Sequence, residues 1–107
     1  MDAFVAVADP TRRQIIESLS LGEQSFGAVA DQFHISRPAV SQHLKVLREA
    51  GLVSVRRDAQ RRIYALNKDG LVAIDNWIER VTGFWNESLD RLESQLNAPQ
   101  SKESNNE

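Results

Sequence analysis

The segment "SRPAVSQHLKVLREAGL", residues 36–52, combines an apolar stripe with side chains that could bind another molecule. Val40, Leu44 and Leu47 follow the i, i+4, i+7 spacing of a helix with one face on a core. The side chains opposite the stripe are small or hydrogen-bonding, namely Pro38, Ser41, Gln42 and Lys45, and Arg37 lies at the amino end. Glu49 is the only acid on that side, at its far end. Such a face can donate hydrogen bonds to the base edges and phosphates of double-stranded DNA.

The sequence offers few candidate catalytic or metal-ligating side chains. Without cysteine, the chain has neither a disulfide framework nor a thiolate metal site. We interpret both histidines as structural, because His43 borders the apolar stripe and His34 lies in a turn where a left-handed conformation can be needed. Asp31 and Ser36 lie near His34 in "DQFHIS", but helical geometry does not aim these three side chains at one point. We therefore predict no enzymatic activity, no metal site and no cofactor.

Charge is distributed in three blocks along the chain. The net charge is −2, whereas a nucleic-acid-binding domain is usually basic. Residues 1–32 carry 2 basic and 5 acidic side chains, residues 33–68 carry 8 and 2, and residues 69–107 carry 3 and 8. The middle block therefore has a balance of +6 between two acidic flanks. This local balance predicts an anionic partner, whatever the charge of the whole chain.

Helix signals surround the opening segment. Ser36 can cap its helix, and Gly51 stands where a left-handed residue ends one. Pro10 can open an earlier helix, and Ser25 can cap the next. The predicted helices span residues 2–9, 10–21, 26–33 and 37–50. A turn of about three residues joins the last two, which is typical of helix-turn-helix.

After Gly51 the hydrophobic period changes from 3.6 to 2. Residues 52–58 and 61–67 are rich in Val, Ile and Tyr and flank a polar "DAQ" turn. This pattern predicts an antiparallel β-hairpin. Its tip carries four arginines: Arg56, Arg57, Arg61 and Arg62.

One long helix is predicted from Asp69 onward. Its apolar residues alternate at spacings of three and four, as in a coiled coil: Leu71, Ile74, Ile78, Val81, Trp85, Leu89, Leu92 and Leu96. Trp77 and Phe84 add an aromatic edge, so the helix has more apolar surface than one small domain can cover, and we infer a homodimer. These aromatic residues could instead line an effector pocket. Asp75 and Glu79 could share a hard cation, although carboxylates at this spacing usually form a solvated face.

The length of 107 residues fits one domain. We assign residues 1–96 to it and predict that the polar, aperiodic residues 97–107 are a disordered tail. No apolar run is long enough for a signal peptide or a membrane span, so we expect a soluble cytoplasmic protein without a membrane partner.

Three motifs, in this order and spacing, resemble the winged helix-turn-helix repressors of the ArsR family: "ADPTRRQIIESL", "SRPAVSQHLKVLREAGLV" and "RRIYAL". The resemblance covers most of the chain from Asp9 through the terminal helix. It implies a homodimeric bacterial transcriptional repressor, mostly α-helical, with about five helices and a two-stranded antiparallel β-wing. It also implies that the first and last helices form the dimer interface. The residues assigned to that interface are Phe4, Leu71, Ile74, Ile78, Val81, Trp85, Leu89 and Leu92.

The candidate DNA contacts fall into two groups. Arg37, Ser41 and Gln42, with Pro38 beside them, would read bases, because Arg pairs with guanine, Gln with adenine and Ser with either. The second group would meet phosphates or a minor groove and add salt-dependent affinity: Lys45, Arg57, Arg61 and Arg62. Alternatively, the hairpin arginines could serve solubility, and Ser41 and Gln42 could be ordinary helix surface.

The chain departs from the metal-sensing members of the family that it resembles. Where thiolate sensors carry a Cys-x-Cys pair on the third helix, it has Ser25 and Gly27, and its last helix has no histidine. We predict metal-independent binding to a two-fold symmetric operator, and no residue pattern identifies an effector. The alternative is a winged-helix protein-interaction module that has lost DNA binding. The +6 block argues against it, because an interaction surface does not require this depletion of acids.

Overall fold

The computed structural model describes residues 2–96 of the protein and divides after Ile74 into two compact units. The elements of the first unit are α1 Ala3–Ala6, α2 Pro10–Leu19, β1 Gln24–Ser25, α3 Phe26–Ala30, α4 Arg37–Glu49, β2 Val53–Asp58 and β3 Arg61–Leu66. The last helix, α5 Lys68–Leu96, begins in the first unit, and its residues from Asp75 onward belong to the second. The predicted tail, residues 97–107, lies outside the described residues, and the assignment of residues 1–96 to a single domain stays a prediction.

Side-chain oxygens cap the amino ends of the first four helices. The caps are Asp2, Asp9, Ser25 and Ser36, and each accepts a hydrogen bond from a backbone N–H two or three residues further on. The predicted caps at Ser25 and Ser36 are therefore confirmed. Gly51 follows the carboxyl end of α4 with a φ of 80°, the left-handed conformation expected there.

The turn between α3 and α4 differs in two ways from the expectation. α3 ends at Ala30, three residues early, because Phe33 N–H donates to Ala30 O in an i→i−3 bond that winds more tightly than an α-helix. His34 is exposed, and the only non-glycine residue with a positive φ among the described residues is Ala59. The suggestion that His34 needs a left-handed conformation is therefore wrong.

The core of the first unit is built around the apolar stripe of α4. Val40, Leu44 and Leu47 are completely buried, as the spacing predicted. The residues that surround them come from the other elements: Ala6, Ile15, Leu19, Val29, Leu52, Val53 and Tyr64. No polar or charged side chain of the described chain is buried. The buried contacts of helix α4 are therefore apolar, and its exposed side chains lie away from the core.

The hairpin is confirmed and is part of a larger sheet. Strands β2 and β3 pair antiparallel through the turn residues Ala59 and Gln60. The short strand β1 pairs with the other edge of β3, which gives the order β1-β3-β2. This third strand was not predicted, because two residues are too few to show a periodicity. It ties the segment before α3 to the hairpin.

The long helix α5 is confirmed, but none of its residues is fully buried. Leu71 and Ile74 are half-buried and pack against the core of the first unit. In the second unit, the apolar residues from Ile78 to Leu92 remain between 44% and 60% exposed along the predicted spacing: Ile78, Val81, Trp85, Leu89 and Leu92. No helix of the described residues combines the length and the apolar character that crossing a bilayer requires.

Gly70, in the first turn of α5, lies directly against the end of α4. A Cβ at this position would lie 1.8 Å from the carbonyl oxygen of Gly51. Asn67 fixes this approach, because its Nδ2 donates to Gly51 O at 2.9 Å and its backbone N–H donates to Leu52 O at 2.9 Å. Two backbones thus meet where only glycine fits.

We predict that Gly70→Ala lowers the free energy of unfolding by about 1–3 kcal/mol, since the added methyl group must push the two backbones apart. Gly83→Ala is the matched control on the same helix, because a Cβ there meets no atom within 4 Å. It should raise the free energy of unfolding by up to about 1 kcal/mol through helix propensity. Urea unfolding followed by circular dichroism measures both changes. Similar effects in the two variants would show that the contact between Gly70 and Gly51 is unimportant.

Candidate nucleic-acid interface

The outward face of α4 presents the side chains that the sequence assigned to it. Arg37, Pro38, Gln42 and Lys45 are exposed, whereas Ser41 is half-buried. Pro38, Ser41, Gln42 and Lys45 lie one or two positions from Val40 or Leu44 and therefore point to another side of the helix. Arg37 is exposed because it is the first residue of α4. The five residues therefore form one surface, on which Ser41 is the least accessible.

Arg37, the first residue of α4, is held by two neighbours from α3 and the turn after it. Its Nη2 donates to Asp31 Oδ1 at 3.0 Å, and both side chains remain mostly exposed. Its guanidinium carbon lies 5.9 Å from the centre of the Phe26 ring, within range of a cation–π interaction. The guanidinium of this candidate base reader is thus already oriented in the free chain.

The hairpin arginines have three different environments. Arg56 Nη2 donates to Glu23 Oε2 at 2.7 Å, and Arg61 Nη2 donates to Asp58 Oδ2 at 3.2 Å. Arg62 lies over the ring of Phe26, with its guanidinium carbon 5.3 Å from the ring centre. Within residues 2–96, the structure gives no carboxylate partner to Arg57 or to Lys45 of α4.

Arg57 and Arg62 face each other directly across the hairpin. Like charges at opposite positions of an antiparallel pair lower the stability of the sheet. An anion between or beside the two guanidinium groups would offset this repulsion. The wing, as we name the β2–β3 hairpin, therefore has a local charge arrangement that a polyanion would stabilise.

Acids from outside the basic block reduce its local charge. Glu23 and Asp31 belong to the acidic first block of the sequence, yet they pair with Arg56 and Arg37. Exposed ion pairs of this kind contribute little to stability, so a phosphate can replace either carboxylate at small cost. Counting charges along the chain missed both pairs, because the partners are 6 and 33 residues apart. Of the three arginine–carboxylate pairs, the one between Asp58 and Arg61 joins the two ends of one tight turn, so its partners are neighbours in the sequence.

Below the outward face, Arg12 links three helices. Its Nε donates to Ala6 O at 2.6 Å, and its Nη1 lies 3.4 Å from His43 Nδ1. The backbone N–H of Arg12 also donates to Asp9 Oδ2 at 3.0 Å, and this bond lowers the pKa of the Asp9 carboxyl below its ordinary value. His43, which is half-buried, thus turns toward α2 rather than toward the outward face. This packing supports a structural role for His43.

Other chemistry finds little support in the described residues. No group of three or more His, Cys, Asp or Glu side chains is gathered in residues 2–96. Asp75 and Glu79 are exposed on α5. The aromatic edge of α5 forms a shallow, open hollow of about 360 Å³, lined by Trp77, Arg80, Val81, Phe84 and Trp85. It lies on one helix of the second unit and is too open to surround a small molecule.

The residues assigned to dimerisation fall into three groups. Leu71 and Ile74 already pack against the core of the first unit, so part of their apolar surface is used within one chain. Phe4 of α1 is 40% exposed. The third group lies in the second unit, where each side chain is about half exposed: Ile78, Val81, Trp85, Leu89 and Leu92.

Comparison with known proteins gives consistent matches. The family model for bacterial regulatory proteins of the arsR family matches residues 9–55, which contain α2, α3 and α4. The HTH-type transcriptional regulator Rv2034 of Mycobacterium tuberculosis is 46% identical over 87 residues, 81% of this chain and 78% of the relative. The transcriptional repressor SdpR of Bacillus subtilis is 39% identical over 77 residues, 72% of this chain and 86% of the relative. A crystal structure of a possible transcriptional regulator for arsenical resistance, 39% identical, matches with a TM-score of 0.71 and covers 95% of this chain and 99% of that one.

Proposed function

The chain belongs to the ArsR family of bacterial regulatory proteins, and from this premise we propose that it is a homodimeric repressor that binds a two-fold symmetric operator without a metal ion. The predicted family and winged-helix fold are confirmed. The chain is a DNA-binding transcriptional regulator and not an enzyme. Its place of action is then the cytoplasm, where bacterial DNA lies. The operator symmetry, the dimer and the metal independence are our own inferences.

The observation that carries the proposal is the combined surface of α4 and the wing. A helix with exposed Gln42 and Lys45 can enter a major groove, and the amino end of such a helix reaches base edges. The opposed pair of Arg57 and Arg62 is unfavourable in the free chain and favourable beside phosphates. A protein-interaction module would have no need of either feature.

The candidate DNA-binding residues differ in their exposure and in the contacts that they make in the free chain. Gln42 is exposed, and we assign it to base reading, since its amide can both donate to and accept from adenine. Arg37 must weaken or break its ion pair with Asp31 before its guanidinium can bind a base. Ser41 is half-buried, so its hydroxyl can bond only to a base that lies close to the helix. Lys45 and Arg57, which have no carboxylate partner among the described residues, are the readiest phosphate contacts.

The dimer is inferred from the apolar row of the second unit, Ile78, Val81, Trp85, Leu89 and Leu92. Each of these side chains is about half exposed in one chain. Burying such surface is favourable by roughly 25 cal/mol for each Å² removed from water. A second copy of the same helix offers the same row, so a two-fold pair covers both. A two-fold protein places its two α4 helices on two equivalent half-sites.

Metal independence is inferred from the donor atoms. The related solved structure belongs to a possible regulator for arsenical resistance, but arsenic binding needs thiolates and this chain has no cysteine. Zinc prefers several nitrogen or sulfur ligands, and the two histidines lie apart in different surroundings: His34 is exposed, and His43 packs beside Arg12.

The first prediction separates base reading from phosphate contact. Gln42→Ala should reduce discrimination at one base pair by about 1–3 kcal/mol, because one base-edge contact is lost. Arg57→Ala should weaken binding to all duplexes alike and flatten the salt dependence by about one charge. Competition binding with single-substituted duplexes at several salt concentrations measures both effects. Loss that is uniform across sequences in both variants would contradict the assignment.

The second prediction concerns the apolar row of α5. Leu92→Glu should cost several kcal/mol of dimer stability, because two carboxylates would be buried against each other, and specific DNA binding should be lost with the dimer. Ser94→Glu adds the same charge two residues further on, about 200° around the helix, and should leave both properties intact. Sedimentation equilibrium gives the subunit number. A wild-type protein that sediments as a monomer rules out the proposed dimer.

The third prediction concerns metals. Operator affinity should change less than twofold when zinc, cadmium or arsenite is added in stoichiometric amount, or when a chelator is present. The reason is that tenfold coupling would require about 1.4 kcal/mol of differential metal binding, which scattered exposed carboxylates do not supply. Fluorescence anisotropy with labelled operator measures the affinity. A reproducible tenfold loss with zinc would identify a metal site that includes a histidine.

A further inference from the structure

One aromatic ring contacts arginines from both parts of the interface. The ring of Phe26, the first residue of α3, has the guanidinium carbon of Arg37 at 5.9 Å and that of Arg62 at 5.3 Å from its centre. Arg37 begins α4, and Arg62 lies in β3 of the wing. These two arginines are 25 positions apart in the sequence, and the ring is the side chain that brings them to one place.

Phe26 is itself firmly placed. Its ring is half-buried and packs against the core of the first unit. Tyr64 of β3 lies beside it, with ring centres 6.5 Å apart and the planes tilted by 52°. The residue before it, Ser25, caps α3 and pairs with Ile63 in the sheet. The ring is therefore packed against both the wing and the helix-turn-helix.

An aromatic face restrains an arginine without neutralising it. The ring attracts the guanidinium through its quadrupole and leaves the N–H donors at the edge free for another partner. An exposed arginine otherwise loses considerable rotamer freedom when it binds. A carboxylate such as Asp31, by contrast, must be displaced before Arg37 can use the same donor on DNA.

We propose that Phe26 is a positioning residue for DNA binding, which holds Arg37 and Arg62 so that α4 and the wing engage the same duplex together. The inference rests on the proposed function, since it assumes that the ligand is DNA. It adds a role for a residue that contacts neither base nor phosphate. Phe26 acts through the two arginines, and its loss should therefore affect them jointly.

The test compares matched substitutions of phenylalanine. Phe26→Leu keeps an apolar side chain and removes the aromatic face, whereas Phe26→Tyr keeps the face. Phe33→Leu is the control, because Phe33 is also half-buried against the core but has no guanidinium over its ring in the described chain. The probe is a duplex that the wild-type protein selects from random DNA, and fluorescence anisotropy gives the dissociation constant. Thermal unfolding of each variant shows how much stability is lost.

We expect Phe26→Leu to weaken binding about tenfold and Phe26→Tyr to stay within twofold of wild type. Phe33→Leu should also stay within twofold, although it loses similar thermal stability. In an Arg62→Ala background, Phe26→Leu should cost only about threefold, because one of the two positioned groups is already gone.

Two outcomes would overturn the inference. One is equal weakening by Phe26→Leu and Phe33→Leu, which would mean that the ring serves stability alone. The other is a full tenfold loss for Phe26→Leu in the Arg62→Ala background, which would mean that the ring does not act through that arginine. A wild-type protein that selects no duplex contradicts the proposed function instead, so the two failures are distinguishable.

Discussion

The burial of three side chains on one face of α4 is the constraint on which the rest of the structure depends. Val40, Leu44 and Leu47 have no exposed surface, and α1, α2, α3 and the sheet all contribute to the core around them. Because these contacts are apolar and the helix is rigid, they fix the rotation of α4 about its axis. Gln42 and Lys45 must then point outward. The orientation of the proposed reading surface is thus a consequence of core packing.

The arginines of the proposed DNA-binding surface differ in whether a carboxylate already pairs with them. Asp31, Glu23 and Asp58 each pair with one arginine, so those cations are partly compensated before any ligand arrives. The pair Arg57 and Arg62 is not compensated in this way, and its repulsion is tolerated in a hairpin that is otherwise well paired. Exchanging weak exposed ion pairs for phosphate contacts costs little, which suits a protein that must bind and leave DNA.

Much of this fold could be predicted from the sequence, because periodicity and capping are local signals. The stripe of α4, the caps at Ser25 and Ser36, and the glycine that ends α4 are all determined by neighbouring residues. Contacts between distant residues left no such signal. The strand β1 is too short to show a pattern, and the close approach of Gly70 to Gly51 depends on tertiary packing.

The candidate site was predicted by residue type, but not by the contacts of its residues. The exposure of Pro38, Gln42 and Lys45 follows from the same periodicity as the stripe of α4, and their part in DNA binding stays a prediction. The partners of Arg37 and Arg56 could not be foreseen, since an exposed ion pair depends on where loops and strands bring the two charges. The shared contact of Arg37 and Arg62 with Phe26 likewise requires the three-stranded sheet, of which the sequence indicated only two strands.

We propose that a two-fold pair of these chains reads DNA through α4. Selection of bound duplexes from a random pool, followed by sequencing, tests it most directly. We expect a palindromic consensus whose half-sites are centred about 10 base pairs, or a multiple of one helical turn, apart. Enrichment of sequences without two-fold symmetry, or no enrichment at all, would contradict it.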